Sequence, residues 1–245
     1  MIYQEFKPSY NLSPLIDSYW TVKTDISKPH SYWKMPNGLT DVLIILGDDF
    51  KTEIGNPTLK NERTYLTGIK THAVNITRQS NINLIGISFK AGAFSNFYRF
   101  DSLSIAKDKI VELAQYDVPN FDLLHNGNIK NQLDLFYSKK YVLQDNLPLK
   151  IVAEIESNKG QIGIGDIIKK YPITERQLER VFKEKIGLSP KEFINLTRFQ
   201  NALNAIKSRD SNISLSDIAF DCGYYDHAHL SNEIKKYSSF SPSQL

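Results

Sequence analysis

Two stretches decide the reading of this chain: LERVFKEKIGLSP, residues 178–190, and LSNEIKKYSSFSP, residues 230–242. They lie 52 residues apart and carry Leu, Lys, Ser and Pro at the same offsets (Leu178 and Leu230, Lys183 and Lys235, Ser189 and Ser241, Pro190 and Pro242), with Phe182 answered by Ile234. A short pattern recurring at a fixed separation predicts one supersecondary unit used twice.

Each copy extends backwards. In the first, Ile164, Ile167 and Ile168 predict a short helix, Tyr171-Pro172-Ile173 a turn, and Thr174 with Gln177 a capping box that starts a second helix. Leu178, Val181, Phe182 and Ile186 make the inner face of that helix. Glu175, Arg176, Gln177, Glu179, Arg180 and Lys183 lie outside or at its margins, and Gly187 ends it. The second copy runs through Leu215, Ile218 and Ala219, a turn around Gly223, and a helix capped by Asp226. Leu230, Ile234 and Tyr237 point inward there, and His227, Ala228, His229, Asn232, Glu233 and Lys236 outward. The Asp-Ile pairs at 166 and 217 are 51 apart, so one extra residue falls in the second turn.

Between the copies, Ser189, Pro190 and Glu192 open a helix in which Phe193, Leu196, Phe199, Leu203 and Ile206 recur to about Ser208. A helix of about 20 residues spans about 30 Å, close to the ~34 Å between successive major-groove faces on one side of a DNA duplex. Two short helices joined by a tight turn, the second polar outside, fit a helix-turn-helix unit whose second helix enters the major groove. An αα-hairpin that merely packs shows the same pattern once; the duplication at fixed separation favours double-stranded DNA as the partner.

Upstream the pattern differs. β-branched and aromatic runs at 41–46, 65–69, 73–77 and 84–89, punctuated by Gly47-Asp48-Asp49, Gly55-Asn56-Pro57 and 81–83, predict short antiparallel strands in a sandwich or barrel. From Asn128 the spacing of Ile129, Leu133, Phe136, Tyr137 and Lys140 predicts a helix ending near Asp145-Asn146. Pro148 then suits the first turn of another, with Ile151, Val152 and Ile155 on one face and Asn158-Lys159-Gly160 as its stop. The expected fold class is α+β: a β-rich, barrel-like domain over residues 1–146 with a terminal helix, and an all-helical domain over 147–245, divided between about Leu143 and Pro148.

The 245 residues are 41% hydrophobic and 23% charged, an ordinary globular composition. Net charge is +3, and the balance of basic and acidic residues is similar in both halves, so charge alone selects no partner. The longest clean apolar run, Val42 to Leu46, is too short to span a membrane, and MIYQEFKPSYNL lacks the features of a secretory signal. A single cysteine, Cys222, forms no internal disulfide, which points to a reducing, cytoplasmic setting. Nucleophilic triads, phosphate-binding glycine loops and paired carboxylates are not evident, so neither an enzyme nor a cofactor is expected.

The segments ITERQLERVFKEKIGLSPKEF, LTRFQNAL and ISLSDIAFDCGYYDHAHLSNEIKKYSSFSP resemble the AraC/XylS family of bacterial transcription regulators over nearly all of residues 147–245. The resemblance implies that Thr174, Glu175, Arg176, Gln177, Arg180 and Lys183 face DNA from the first recognition helix, and His227, Ala228, His229, Asn232 and Lys236 from the second. The family commonly has Phe where Ile234 stands, Gly where Ser239 stands and often Arg where Asn232 stands. Upstream, FKPSYNLSPLIDSYW, MPNGLTDVLIIL, YLTG and GISFKAGAF are similar to one subset of the family's sensor domains, with Ala91 where Pro is often seen. By analogy the first domain takes a small-molecule effector, and the helix around 129–136 is a homodimer seam or a cover for the barrel.

Trp20, Trp33, Phe89 and Phe94, with Tyr19 and Tyr32, are candidates to line an effector pocket; plain core is the competing reading. His30 and His72 lack the companions of a metal site, so no metal is expected. The competing functional class is a cupin-like metal-binding protein or enzyme with an appended helical domain.

Overall fold

Strand alternation builds the amino-terminal half. The computed structural model describes residues 2–24, 30–78, 81–113, 119–142, 146–209 and 213–245. Six strands form one antiparallel sheet in the order β1-β2-β9-β4-β7-β10: β1 (Ile2–Phe6), β2 (Ile16–Lys23), β4 (Thr40–Ile45), β7 (Thr64–Thr67), β9 (Asn83–Phe89) and β10 (Ile110–Glu112). Two ribbons, β3 (His30–Lys34) with β8 (Val74–Arg78) and β5 (Phe50–Lys51) with β6 (Thr58–Leu59), complete it. Among the described strands the sheet does not close, so the domain is barrel-like only loosely.

The two faces of the sheet are both covered, and alternation sorts side chains between them. Val42, Ile44, Ile85, Ile87 and Phe89 join a core with Leu133 and Tyr137, whereas Ile45, Leu84 and Val22 pack on the other side with Leu59 and Ile82. That is why Val42 to Leu46 reads as an unbroken apolar run. The sequence reading located β4, β7, β8 and β9 and missed the other six strands, β1 and β2 among them. Four of the five residues of β1 are exposed at the sheet edge, and β2 buries Ser18 and Thr21 among its apolar residues, so neither shows a clean alternation.

Helices follow: α1 (Phe121–Asn126), α2 (Ile129–Lys140), α3 (Leu147–Ser157), α4 (Ile164–Lys170), α5 (Glu175–Lys185), α6 (Pro190–Lys207), α7 (Leu215–Asp221) and α8 (His227–Ser238). Asn128 caps α2 as its spacing predicts, but the helix stops at Lys140 rather than near Asn146, because Tyr141 leaves helical geometry. Asp145 and the start of the expected domain junction, 143–145, lie outside the described residues.

In the helical half, α6 runs through a core that gathers Ile155, Ile167, Leu178, Phe182, Ile218 and Leu230 around Phe193 and Phe199. The Phe199 and Tyr237 rings stack at 4.8 Å, and those of Phe182 and Phe193 meet edge-on at 6.1 Å. Ile69 and Ala91, from the first domain, belong to this same core. Polar contacts reinforce the seam: Ala73 N donates to Tyr237 O at 2.7 Å, Gln200 Nε2 to Pro36 O at 3.3 Å and Ser102 Oγ to Lys183 O at 3.1 Å. Lys107 Nζ meets Glu192 Oε1 at 2.6 Å.

The repeat is visible in three dimensions. α4 and α5 are separated by residues 171–174, α7 and α8 by 222–226, which places the extra residue in the second turn. Ser189 with Glu192 and Ser241 with Gln244 both form capping boxes behind a proline at the first helical position. The residue two before each serine is left-handed: Gly187 at φ 94° and Ser239 at φ 66°. A glycine accepts that region freely and a serine does not. Ser239→Gly is therefore expected to stabilise the protein by about 0.5–1 kcal/mol. Gly187→Ala, whose new Cβ would lie 2.9 Å from Leu103 O, is expected to destabilise it by about 1–2 kcal/mol or more. Urea denaturation of both variants checks the opposite signs.

Candidate functional site

α5 begins where Thr174 and Gln177 cap each other: Gln177 N donates to Thr174 Oγ1 at 3.3 Å, and Thr174 N donates to Gln177 Oε1 at 2.9 Å. Leu178 and Phe182 are buried, which turns Thr174, Glu175, Arg176, Gln177, Arg180 and Lys183 outward. The cap occupies Gln177 Oε1, so Nε2 is the end of that amide left to reach outward. Arg176 and Arg180, four apart, share one face of the helix. Lys183 stands one turn further on, 3.8 Å from Glu179, at the end of α5 that abuts the first domain.

In α8, Asp226 Oδ1 accepts from His229 N at 2.7 Å, and Leu230, Ile234 and Tyr237 face the core. His227, Ala228, His229, Asn232 and Lys236 are exposed. The His229 ring lies edge-on to Tyr224 at 5.3 Å, and its Nδ1 accepts from Tyr225 N at 3.4 Å, which leaves Nε2 outermost. Lys236 bonds Glu233 at 2.9 Å and lies 5.0 Å over the Tyr237 ring. The outward residues thus form two sets, one on each second helix. Two exposed aromatics were missed by sequence reasoning: Tyr225, 92% exposed, and Phe220, 82% exposed. The signal for Phe220 was available, since the inner stripe of Leu215, Ile218 and Ala219 leaves position 220 outside.

Both units are latched to α6. Arg198 Nε and Nη2 donate to Gly160 O at 3.0 and 2.9 Å, before α4, and Asn201 Nδ2 donates to Cys222 Sγ at 3.2 Å, at the end of α7. Gln161 Nε2 reaches Asp221 O at 2.8 Å, tying one unit to the other directly. Cys222 is buried, and burial pushes its thiol pKa up. α6 has 18 residues, a length of about 27 Å at 1.5 Å per residue.

The first domain holds a partly open pocket of about 70 Å³ between the sheet and the two ribbons, lined by Trp20, Leu43, Phe50, Ile76, Thr67 and Lys70 among others. It shares Trp20, Tyr32 and Lys34 with a wider, open cleft that Trp33 also lines. Beside it Asp41 is fully buried: Oδ2 accepts from Lys34 Nζ at 2.8 Å, and Oδ1 from Ser88 Oγ at 2.7 Å. Burial opposes the charge of Asp41, but Lys34 and Lys70 with these hydrogen bonds hold its carboxyl below the usual range. Of the expected pocket residues, Trp20 and Tyr32 line the cavity, and Trp33 meets Phe240 edge-on at 5.1 Å. Phe89 and Phe94 do not line it: both are buried in the opposite core, their rings 5.7 Å apart. Parity explains it, because Phe89 faces with Ile85 and Ile87, and Tyr19 points away from its neighbour Trp20.

His72 Nδ1 lies 3.5 Å from Asp108, and the His30 side chain is outside the described residues. Among the described residues no three His, Cys, Asp or Glu side chains converge as a metal site requires, and no helix is long and apolar enough to cross a membrane.

Two family profiles match. One, described as a domain of unknown function (DUF6597), covers residues 4–111; the other, described as a helix-turn-helix domain, covers 167–245. The HTH-type transcriptional activator RhaS of Escherichia coli O1:K1 is 27% identical over 118 residues, 45% of this chain and 42% of that protein. RhaS of Klebsiella pneumoniae is 29% identical over 80 residues, 33% of this chain and 28% of its own. The chain spans less than half the length of these curated relatives. Among solved structures, ToxT from Vibrio cholerae superposes with a TM-score of 0.53 at 16% identity, covering 92% of this chain and 97% of ToxT. A second ToxT structure, at TM-score 0.50 and 14% identity, is bound to (E)-4-(8-methylnaphthalen-1-yl)but-3-enoic acid and covers 92% of this chain and 97% of its own. The duplicated helix-turn-helix pair on one spacer helix, behind a β-rich first domain, gives this chain a ToxT-like fold with a helix-turn-helix domain over residues 167–245.

Proposed function

We propose that this chain is a sequence-specific DNA-binding transcription regulator, that its residues 147–245 grip double-stranded DNA, and that its residues 1–146 take a small-molecule effector. The observation that carries the reading is the pair of capped helices, α5 and α8, each with an apolar face buried and a polar face outward on one rigid spacer. Arg176 and Arg180 reach bases or phosphates, Gln177 Nε2 and Lys183 flank them, and His227, His229, Asn232 and Lys236 serve the second groove segment. Thr174 and Glu175, and Ala228 in the second unit, sit where each helix meets the groove edge. Tyr225 adds an exposed ring and hydroxyl beside the second set. The acid bound to ToxT supports the effector half of the reading. A regulator of this kind works in the cytoplasm, without catalysis. Leu135, Tyr141 and Val142, exposed on and after α2, are the surface on which a second copy would pair.

Replacing both Arg176 and Arg180 by Ala leaves the helix capped and its buried face intact. Specific binding is expected to weaken by about 1–3 kcal/mol for each lost base contact; a lost phosphate contact instead lowers the salt slope by about one. Electrophoretic titration across salt concentrations checks it, and unchanged affinity and slope would remove α5 from the interface.

The spacer makes a geometric prediction. One chain is expected to protect two major-groove segments centred about 10 base pairs apart on one face of the duplex, at an asymmetric operator, since the two outward sets differ. Asn201 is half-buried and bonded to Cys222, so the exposed Asn204 is the place to break α6. Asn204→Pro costs about 3 kcal/mol or more and kinks the helix, and is expected to leave only one protected segment. Asn204→Ala is expected to preserve both, and hydroxyl-radical footprinting distinguishes them.

A further inference from the structure

Two buried residues on the wall of this pocket carry donors that make no hydrogen bond among the described residues, Lys70 having only a long ion pair. Lys70 is 2% exposed; its nearest charged partner, Asp41, is 3.9 Å away, and that carboxylate is already held by Lys34 and Ser88. Among the described residues no hydrogen bond reaches the Lys70 ammonium. Thr67 Oγ1 is likewise buried without a partner. Both residues line the cavity, and both flank Asp41: Thr67 lies directly across from it in the β4–β7 pairing. A buried donor left unpaired is costly, and a buried ammonium more so. Burial, with repulsion from Lys34, accordingly pushes the Lys70 pKa down to about 7 against the pull of Asp41 and Asp108. Three lysines (34, 51 and 70) and two carboxylates (Asp41 and Glu53) line the cavity, a surplus of one positive charge when Lys70 is protonated. The remaining wall is apolar and partly aromatic, with Trp20, Phe50 and Ile76.

We propose that this cavity receives a small apolar monocarboxylate, its carboxylate accepting hydrogen bonds from the Lys70 ammonium and the Thr67 hydroxyl while its body lies against the aromatic wall. The proposal rests on the reading of the first domain as the effector-binding half and names the chemistry it selects. A single negative charge matches the surplus, a dianion exceeds it, and a neutral molecule leaves Lys70 unsatisfied. Lys70 is also placed to transmit occupancy. Its neighbour Ile69 is packed in the core of the helical half, and Ala73, three residues on, bonds the backbone of α8.

The test is calorimetric titration of the full-length protein with phenylacetate, hexanoate, neutral 2-phenylacetamide and inorganic phosphate, repeated on Lys70→Met and Thr67→Val. At least one carboxylate is expected to bind the wild type at least about tenfold more tightly than the amide or phosphate. Lys70→Met should lose at least about tenfold in that affinity, the ratio equivalent to about 1.4 kcal/mol. Thr67→Val should lose a smaller factor, and it decides the question if Lys70→Met does not fold by circular dichroism. Carboxylate affinity unchanged in these variants, equal binding of the amide or of phosphate, or no binding of either carboxylate overturns the proposal. Operator affinity measured in parallel keeps the readings apart. A carboxylate that binds through Lys70 but leaves operator affinity unmoved sinks the effector reading and not the site.

Discussion

The placement of Ile69 governs much of this molecule. It follows β7, in the loop that also bonds α8 through Ala73, and its side chain is 1% exposed inside the core of the helical half. Gly68 makes this possible by letting the backbone lie against Ala106, where a Cβ would come within 2.0 Å of the carbonyl oxygen. Asp108 fixes the far side, accepting from Thr71 N and Oγ1, both at 2.7 Å. One short loop thus contributes to a sheet, a cavity wall and a foreign core. A domain that lends a buried apolar side chain to another is not joined to it by a simple tether, because separation would expose that side chain to water.

Around this anchor the first domain touches specific points of the second. It contacts the carboxyl ends of α5 and α8, through Ser102 and Ala73, and the start of α6, through Lys107 and Glu192. Glu192 does double duty, since it also accepts from Ser189 N to close the capping box of α6. Burial opposes its charge, but the hydrogen bonds from Lys107 and Ser189 hold its carboxyl below the usual range. The amino-terminal ends of α5 and α8, with Thr174, Arg176, Gln177, Arg180, His227, His229 and Asn232, carry none of these contacts.

The helical half was legible because its signals are local. Thr174 with Gln177, Ser189 with Glu192, and Asp226 are caps that act within four residues, and the duplication checked each assignment against its copy. Even the departure at Ser239 was readable, and the structure shows its physical content as a serine in left-handed backbone. The first domain was less legible because its signals are not local. β1 is an exposed edge, β3 pairs with a strand more than forty residues away, and α1 was not anticipated. The pocket aromatics divided by strand parity, Trp20 to the cavity and Phe89 to the core, a distinction invisible without the register. Lys70 was overlooked altogether, because a lone lysine after a strand looks like surface until the fold buries it.

The β3–β8 ribbon bears on how the cavity is reached. It supplies Tyr32, Lys34, Ile76 and Thr77 to the cavity wall, yet it is a two-stranded ladder beside a six-stranded sheet. A lone pair of strands is marginal by itself and opens at lower free energy than strands hydrogen-bonded on both edges. Thr67 and Lys70, by contrast, sit on and just after β7, a strand of the large sheet paired on both sides. The wall held by a single ladder and the wall that carries Lys70 and Thr67 are therefore different pieces of chain. For a ligand of the kind proposed above, admission and retention would be separable quantities: opening of the ribbon would set how fast the chamber exchanges its contents, and the sheet behind it how firmly they are held.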